Sequence, residues 1–195
     1  DSSISLKRQT QWLAEQAKGQ LPTDSSAAKI YEFVKNQYLN NPDKDDWEST
    51  RDAVYQRYQL SAMDGYTYHQ PFDAGINFAA SLVSLFYGEG DIKRTVQIGT
   101  LAGWDSDNPT ATWGGLLGFM LGKQGVETAF NQTNLSKTYS IHRTRRNFPD
   151  QSPNELGEDT FANMAARDLR TIDRVVVELM QGTVNTETNR WIIPL

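Results

Sequence analysis

The sequence predicts an all-α protein. Three observations carry this: apolar residues recur at helical spacing in seven separate stretches, no run alternates apolar and polar residues as a strand would, and Gly/Pro/Asn punctuation falls between the stretches. Residues 4–19 form the first helix, with Ile4, Leu6, Trp12, Leu13 and Ala17 on one stripe and Gly19 and Pro22 ending it. The second runs from 25 to 39, capped by Asp24 or Ser25, with Ile30, Phe33, Val34 and Tyr38 inward. Asn40-Asn41-Pro42-Asp43 breaks it, and a third follows over 47–58, with Trp47, Val54, Tyr55 and Tyr58 as its apolar side. Met63 to Phe72 lacks helical period and reads as an extended loop.

Residues 73–87 are almost wholly apolar, which predicts a buried central helix. After the turn Gly88-Glu89-Gly90, Asp91 caps a helix through Leu101, with Ile92, Val96, Ile98 and Leu101 inward and Gly103 as its C-terminal glycine. Asn108-Pro109 reads as a helix start, Asn as cap and Pro at the first position, with the helix ending near Leu121 or Gly122. Residues 131–158 are polar, and are expected to pack on the surface or form a lid. A last helix over 160–180 carries Met164, Leu169, Ile172, Val175, Val176 and Leu179, and the tail from Trp191 to Leu195 reads as extended and docked.

Composition narrows the function. The 195 residues are 38% hydrophobic and 11% aromatic, enough for a core rather than a disordered chain. Nineteen Lys+Arg against 24 Asp+Glu give a net charge of −5, which argues against a general nucleic-acid binder. The longest nearly apolar run, Ile76 to Tyr87, falls short of the roughly 20 residues of a bilayer span. No cysteine is present, so disulfides, thiolate metal sites, iron–sulfur clusters and a Cys nucleophile are excluded. Two sequons, at Asn131 and Asn134, and a start at Asp1 without Met suggest a processed, secreted glycoprotein, with a cytoplasmic location as the alternative.

The chemistry concentrates in residues 99–122. Asp105 and Asp107 stand two apart in a turn between helices, where their carboxylates can converge. Two close carboxylates repel and raise each other's pKa unless a cation lies between them, and hard ions such as Mg²⁺ and Ca²⁺ take such ligands. The same residues also suit an ordinary helix N-terminus. Asn108 offers a carbonyl ligand or a cap. Gly114, Gly118 and Gly122 share one stripe, which predicts a second backbone packed close against it and a rigid support for the turn; plain packing is the other reading. Trp104 and Trp113 flank the turn as core residues or as a ligand-stacking wall. His69 and His142 stand alone, and the run from His142 to Arg146 is either a phosphate grip or a solvated basic loop.

The run Gly103-Trp104-Asp105-Ser106-Asp107-Asn108 resembles the late Asp-x-Asp-Thr motif of the ADP-ribosylglycohydrolase family, which opens a small-residue helix. Upstream, Gly75-Ile76-Asn77-Phe78-Ala79 and Tyr87-Gly88-Glu89-Gly90-Asp91 resemble the same family, and the likeness is clear from about Pro71 to Gly125. The resemblance implies an orthogonal multi-helix bundle and a hydrolase of a glycosidic bond in ADP-ribose, working through Mg²⁺, one ion or two, with Ca²⁺ or Mn²⁺ as alternatives. It implies Asp105, Asp107 and Asn108 as metal ligands, Asn108 standing where the family has Thr. It further implies Asn77, Trp104 and Thr110 as substrate contacts. The family's earlier Thr-Asp-Asp motif has no counterpart; Asp45-Asp46 lies between Lys44 and Trp47 and does not fit. The expectation is therefore that residues 1–195 are the C-terminal part of one such domain. An N-terminal segment or chain of the same precursor would complete it. The partners expected are that segment and an ADP-ribosyl or other small-molecule substrate, with no nucleic acid and no membrane. A non-catalytic relative, and an extracellular glycoside or nucleoside hydrolase, are the competing readings.

Overall fold

The computed structural model describes residues 4–70, 72–140 and 158–194, and the chain divides into two compact units, Asp1–Thr133 and Asn134–Leu195. Among the described residues the α-helices number seven and match the expected ones in order. They are α1 (Leu6–Gly19), α2 (Ser26–Asn40), α3 (Trp47–Val54), α4 (Ala74–Gly88), α5 (Ile92–Leu101), α6 (Asp107–Phe130) and α7 (Phe161–Glu178). The run from His142 to Arg146, and most of the polar stretch 131–158, lie outside the described residues. No described helix is long and apolar enough to cross a membrane.

In the first unit α4 is the axis. It packs against α2, α3, α5 and α6, and Ile76, Ala79, Val83 and Tyr87 are fully buried. A helix buried on every side must have its polar groups satisfied by its neighbours. The Tyr87 hydroxyl lies 2.6 Å from Thr50 Oγ1 and accepts from Asn41 Nδ2 at 3.0 Å, which ties α4 to α3 and to the end of α2. Trp113 Nε1 donates to the Ser81 carbonyl at 2.8 Å, tying α4 to α6.

The turn after α4 carries Glu89 and Gly90. A Cβ on Gly90 would come within 2.6 Å of Lys7 N, and its φ of +83° also demands glycine. This close approach lets Glu89 Oε1 accept from Lys7 Nζ at 2.7 Å and from the Tyr38 hydroxyl at 2.5 Å, joining α1, α2 and the turn. Gly88 is crowded for a different reason. A Cβ there would lie 1.9 Å from Thr95 Oγ1 and 2.8 Å from Thr95 Cα, so α4 and α5 nearly touch.

The structure corrects several expectations. Ile4, before the start of α1, and Trp12 and Leu13 on it are exposed, and the buried positions of the helix are Thr10 and Ala14. The polar tips of buried Tyr31 and Tyr38 on α2 need partners. Glu15 takes the Tyr31 hydroxyl at 2.6 Å, and Gln11 lies 3.5 Å from the Tyr38 hydroxyl that Glu89 already accepts, which turns that face of α1 inward. Leu101, expected inward on α5, is 58% exposed in the helix's last position. The third helix ends at Val54 and continues as a π-helix over Tyr55–Leu60, which keeps Tyr58 buried but leaves Tyr55 exposed. A short 3₁₀ turn, Met63–Gly65, interrupts the expected loop.

The α6 corrections are the most instructive. The helix starts at Asp107, with Ser106 as its N-cap, so Asn108 is not the cap. Asn108 N already donates to the Asp105 carbonyl at 3.0 Å, and Thr110 Oγ1 donates back to the Ser106 and Asp107 carbonyls, which pulls the first turn forward. Pro109 fits because first-turn amides have no helical acceptor. The glycine stripe does not meet a backbone. The nearest atoms to a Cβ at Gly114 and Gly118 are methyls of Val96 and Val126, each at 3.8 Å, and nothing lies within 4 Å at Gly115 or Gly122. Gly122 (φ +66°, ψ 172°) breaks the helix and turns the 123–130 segment back, which is how Val126 reaches Gly118. The tight α5–α6 contact falls at Gly99 instead, where an added Cβ would lie 3.1 Å from Thr110 Cγ2.

The second unit contains two short antiparallel pairs, β1 (Thr138–Ser140) with β2 (Glu158–Thr160), and β3 (Thr183–Asn185) with β4 (Arg190–Ile192). The Asp159 carboxylate is buried and accepts from Arg167, from Asn163 Nδ2 at 3.0 Å and from the Tyr139 hydroxyl at 3.1 Å. The Arg167 guanidinium beside it holds its pKa well below the carboxylate range. Of the apolar stripe expected on α7, Val176 alone is buried, with Gly182 against it; Leu169, Val175 and Leu179 are exposed. The tail pairs as β4, and Trp191 Nε1 donates to Asp173 Oδ1 at 2.8 Å.

Two measurements follow from this packing. Gly88→Ala should lower stability by about 1–3 kcal/mol or more through overpacking against Thr95. Gly115→Ala should raise it by about 0.5–1 kcal/mol, because a helix-interior glycine there has open space beside it. Chemical denaturation of both variants checks the pair. The second concerns acid. Burial pushes the Glu89 carboxyl up, but hydrogen bonds from Lys7 and Tyr38 and the charges of Lys7 and Arg94 outweigh it, so its pKa lies below the ordinary 4.5. Such a group stabilises the fold above the unfolded pKa, and that contribution is lost as pH falls through the folded one. Unfolding curves should show wild type losing stability below pH 4.5, with a shallower acid limb in Glu89→Gln.

Candidate functional site

The acidic turn lies between α5 and α6. Asp105 is half-buried, while Asp107 and Asn108 are exposed. Among the described residues none of the three side chains has a hydrogen-bond or ion-pair partner. Several other acids of this unit are committed elsewhere, while Asp24 and Glu48 likewise lack a side-chain partner among the described residues. Asp73 accepts from the amides of Gly75 and Ile76, Asp91 caps α5, and Asp45 pairs with Arg94 at 2.6 Å. His69 Nδ1 lies 3.3 Å from Asp73 Oδ2, with its ring exposed.

The turn is held from two sides. From α4, Asn77 Oδ1 accepts from the Asp105 amide at 2.9 Å, while Asn77 Nδ2 donates to the Asp73 carbonyl at 2.9 Å. From the π-helix, Gln59 Oε1 accepts from Trp104 Nε1 at 2.8 Å. Trp104 has φ +52°, a region bulky side chains rarely adopt. Such a backbone costs of order 1–3 kcal/mol and persists where the surroundings over-determine it. The two flanking hydrogen bonds do so here.

Beside the turn opens a cleft of about 360 Å³, lined by Arg51, Asp52, Tyr55, Gln59, Ala102, Gly103 and Trp104. It is mainly apolar, with one guanidinium at its side. Tyr55 and Gln59 reach it because the π-helix carries them there; reading 47–58 as a regular helix assigned Tyr55 to the core and left Gln59 unnoticed.

The structure thus brings together Asn77, Trp104 and Asp105, with Asp107, Asn108 and Thr110 on the following turn. Asn77 is 7% exposed and both ends of its amide are engaged, so it braces the turn. The Thr110 hydroxyl is spent on the carbonyls of Ser106 and Asp107. Trp113, the other flanking tryptophan, is bonded to α4 and belongs to the packing around it.

The donor set can be tested for a hard divalent ion. Two carboxylates and an amide oxygen, unclaimed by internal hydrogen bonds, match the oxygen-only preference of Mg²⁺, which keeps several waters and takes one or two carboxylates. The residues fit in kind. No group of three or more His, Cys, Asp or Glu side chains is gathered for a metal among the described residues.

Comparison with known proteins places this geometry in context. No curated protein matches the chain, and no solved structure does. Residues 4–157, more than three-quarters of the chain, match one protein family, described as ADP-ribosylglycohydrolase. That family is generally metal-dependent, and its match spans α1 to α6 with the acidic turn and both of its braces. The chain belongs to the ADP-ribosylglycohydrolase family.

Proposed function

We propose that this chain works as a divalent-cation-dependent hydrolase of an N- or O-glycosidic bond in ADP-ribose or a related glycoside. One observation carries the reading. Asp105 and Asp107 stand on a turn braced by Asn77 and Gln59, yet their own carboxylates have no partner among the described residues. Unclaimed acids on a rigid support are what a cation site requires. Asp105, Asp107 and Asn108 would hold one side of a Mg²⁺ ion. Ligands on a preceding segment of the same precursor would complete the site.

A bound divalent ion supplies Lewis acidity toward a sugar oxygen or a water. The residues of the chain do the rest. Asp105 and Asp107 fix the charge at the helix mouth. Asn77 and Gln59 prevent the turn from relaxing. Trp104 and Tyr55 present an aromatic wall at the cleft, against which a planar part of the substrate can stack. Apolar lining keeps bulk water from that side, which strengthens the electrostatic interactions within.

A non-catalytic binding relative is the second reading. It is favoured by the part-shell of ligands among the described residues and by Asn108 in place of the family Thr. Calorimetric titration of Mg²⁺ should give saturable heat with wild type and none with Asp105→Asn/Asp107→Asn. Equal heats from the two would refute the site. Assay of the full precursor on ADP-ribosylated protein and on a glycoside panel then separates the readings: release of product supports the hydrolase, and binding without release supports the second.

A further inference from the structure

We infer that Asn77 is a positioning residue for the cation site: its buried amide fixes the backbone of Asp105 and thereby aims the Asp105 carboxylate. This rests on the proposed cation site and goes beyond it. The family resemblance implies Asn77 as a substrate contact. The geometry points inward instead. Its Oδ1 takes the Asp105 N–H and its Nδ2 gives to the Asp73 carbonyl, so one side chain connects the first turn of α4 to the acidic turn, 28 residues later.

Three features give the bond its leverage. The residue is 7% exposed on the first turn of the buried α4, and its amide is also held by the Asp73 carbonyl, so its acceptor is kept in place. Its orientation is fixed because the Asp73 carbonyl can only accept, which forces Nδ2 toward it and Oδ1 toward Asp105. The preceding residue, Trp104, carries a strained left-handed backbone, so releasing the Asp105 amide frees the turn to relax toward a commoner conformation. A ligand carboxylate on a relaxed turn no longer points at a fixed place. Outer partners that orient metal ligands typically change affinity about 10–100-fold when removed.

Two readouts on the full chain test this. The first is hydrogen exchange by NMR, residue by residue. In wild type the Asp105 amide should be protected to the degree of the α4 amides, and more than those of Gly103 and Trp104. The second is Mn²⁺ binding, followed by loss of the free-ion EPR signal. Asn77→Leu keeps the volume and removes both hydrogen bonds; it should make the Asp105 amide exchange fast and weaken Mn²⁺ binding about 10–100-fold. Asn77→Asp keeps an oxygen acceptor for that amide but loses the donor to the Asp73 carbonyl, and should restore part of the protection and of the affinity relative to Asn77→Leu. A packing role would give the opposite order, with Leu tolerated and Asp not. Wild-type affinity in Asn77→Leu, or a wild-type Asp105 amide exchanging as fast as its neighbours, overturns the inference. The wild-type exchange measurement decides even if Asn77→Leu fails to fold. Absence of Mn²⁺ binding in wild type refutes the cation site itself, while exchange still reports whether Asn77 holds the turn.

Discussion

Burial of α4 on all sides governs the first unit. Apolar residues around its whole circumference remove it from water, but the helix also carries Asn77, Ser84 and Tyr87 into the interior. An unpaired polar group there costs about 1–3 kcal/mol, so each must find a partner, within the helix or on a neighbouring element. Ser84 bonds within its own helix, to the Ser81 carbonyl. Tyr87 reaches Thr50 and Asn41, and Asn77 reaches Asp105. The need to satisfy a few interior polar atoms therefore decides where α2, α3 and the acidic turn are fastened. The candidate site inherits its rigidity from the core rather than from its own loop.

The same logic separates the two kinds of acid in this unit. Asp73, Asp91 and Glu89 are consumed by amides, caps and cations, and their role ends with the fold. Asp105 and Asp107 contribute nothing visible to it through their side chains. Among the described residues their side chains are left out of the hydrogen bonds that brace the turn, and so remain open to a ligand.

Much of this could be read from residues alone, and the failures have physical causes. Helix positions followed from period and punctuation: Gly19, Asn41-Pro42, Gly88-Glu89-Gly90 and Gly103 all mark real ends. The acidic turn was legible because Asp105 and Asp107 sit between two clear helices. What stayed hidden depends on partners distant in sequence. Trp12 and Leu13 look like core until the tyrosine hydroxyls of α2 are known to need Glu15 and Gln11. The glycines of α6 look like a close-packing stripe until Gly122 is seen to turn the chain back on itself. Asn77 carries no local sign that its amide would reach a turn 28 positions on. The cleft beside Trp104 needed the π-helix, and nothing in the spacing of Tyr55 to Leu60 announces one.

That π-helix has a consequence for how this part of the chain can change with time. A π-turn houses one residue more than the α-turn it replaces. Deleting a single residue between Tyr55 and Leu60 would let the segment close toward an α-turn and change which of its side chains face the core and the cleft. Tyr58 would leave the core and Gln59 would leave Trp104. Substitutions along this segment are absorbed one side chain at a time, whereas a change of length dismantles a wall of the cleft and a brace of the turn together. Its length is thus a tighter physical constraint than the identity of any one of its side chains.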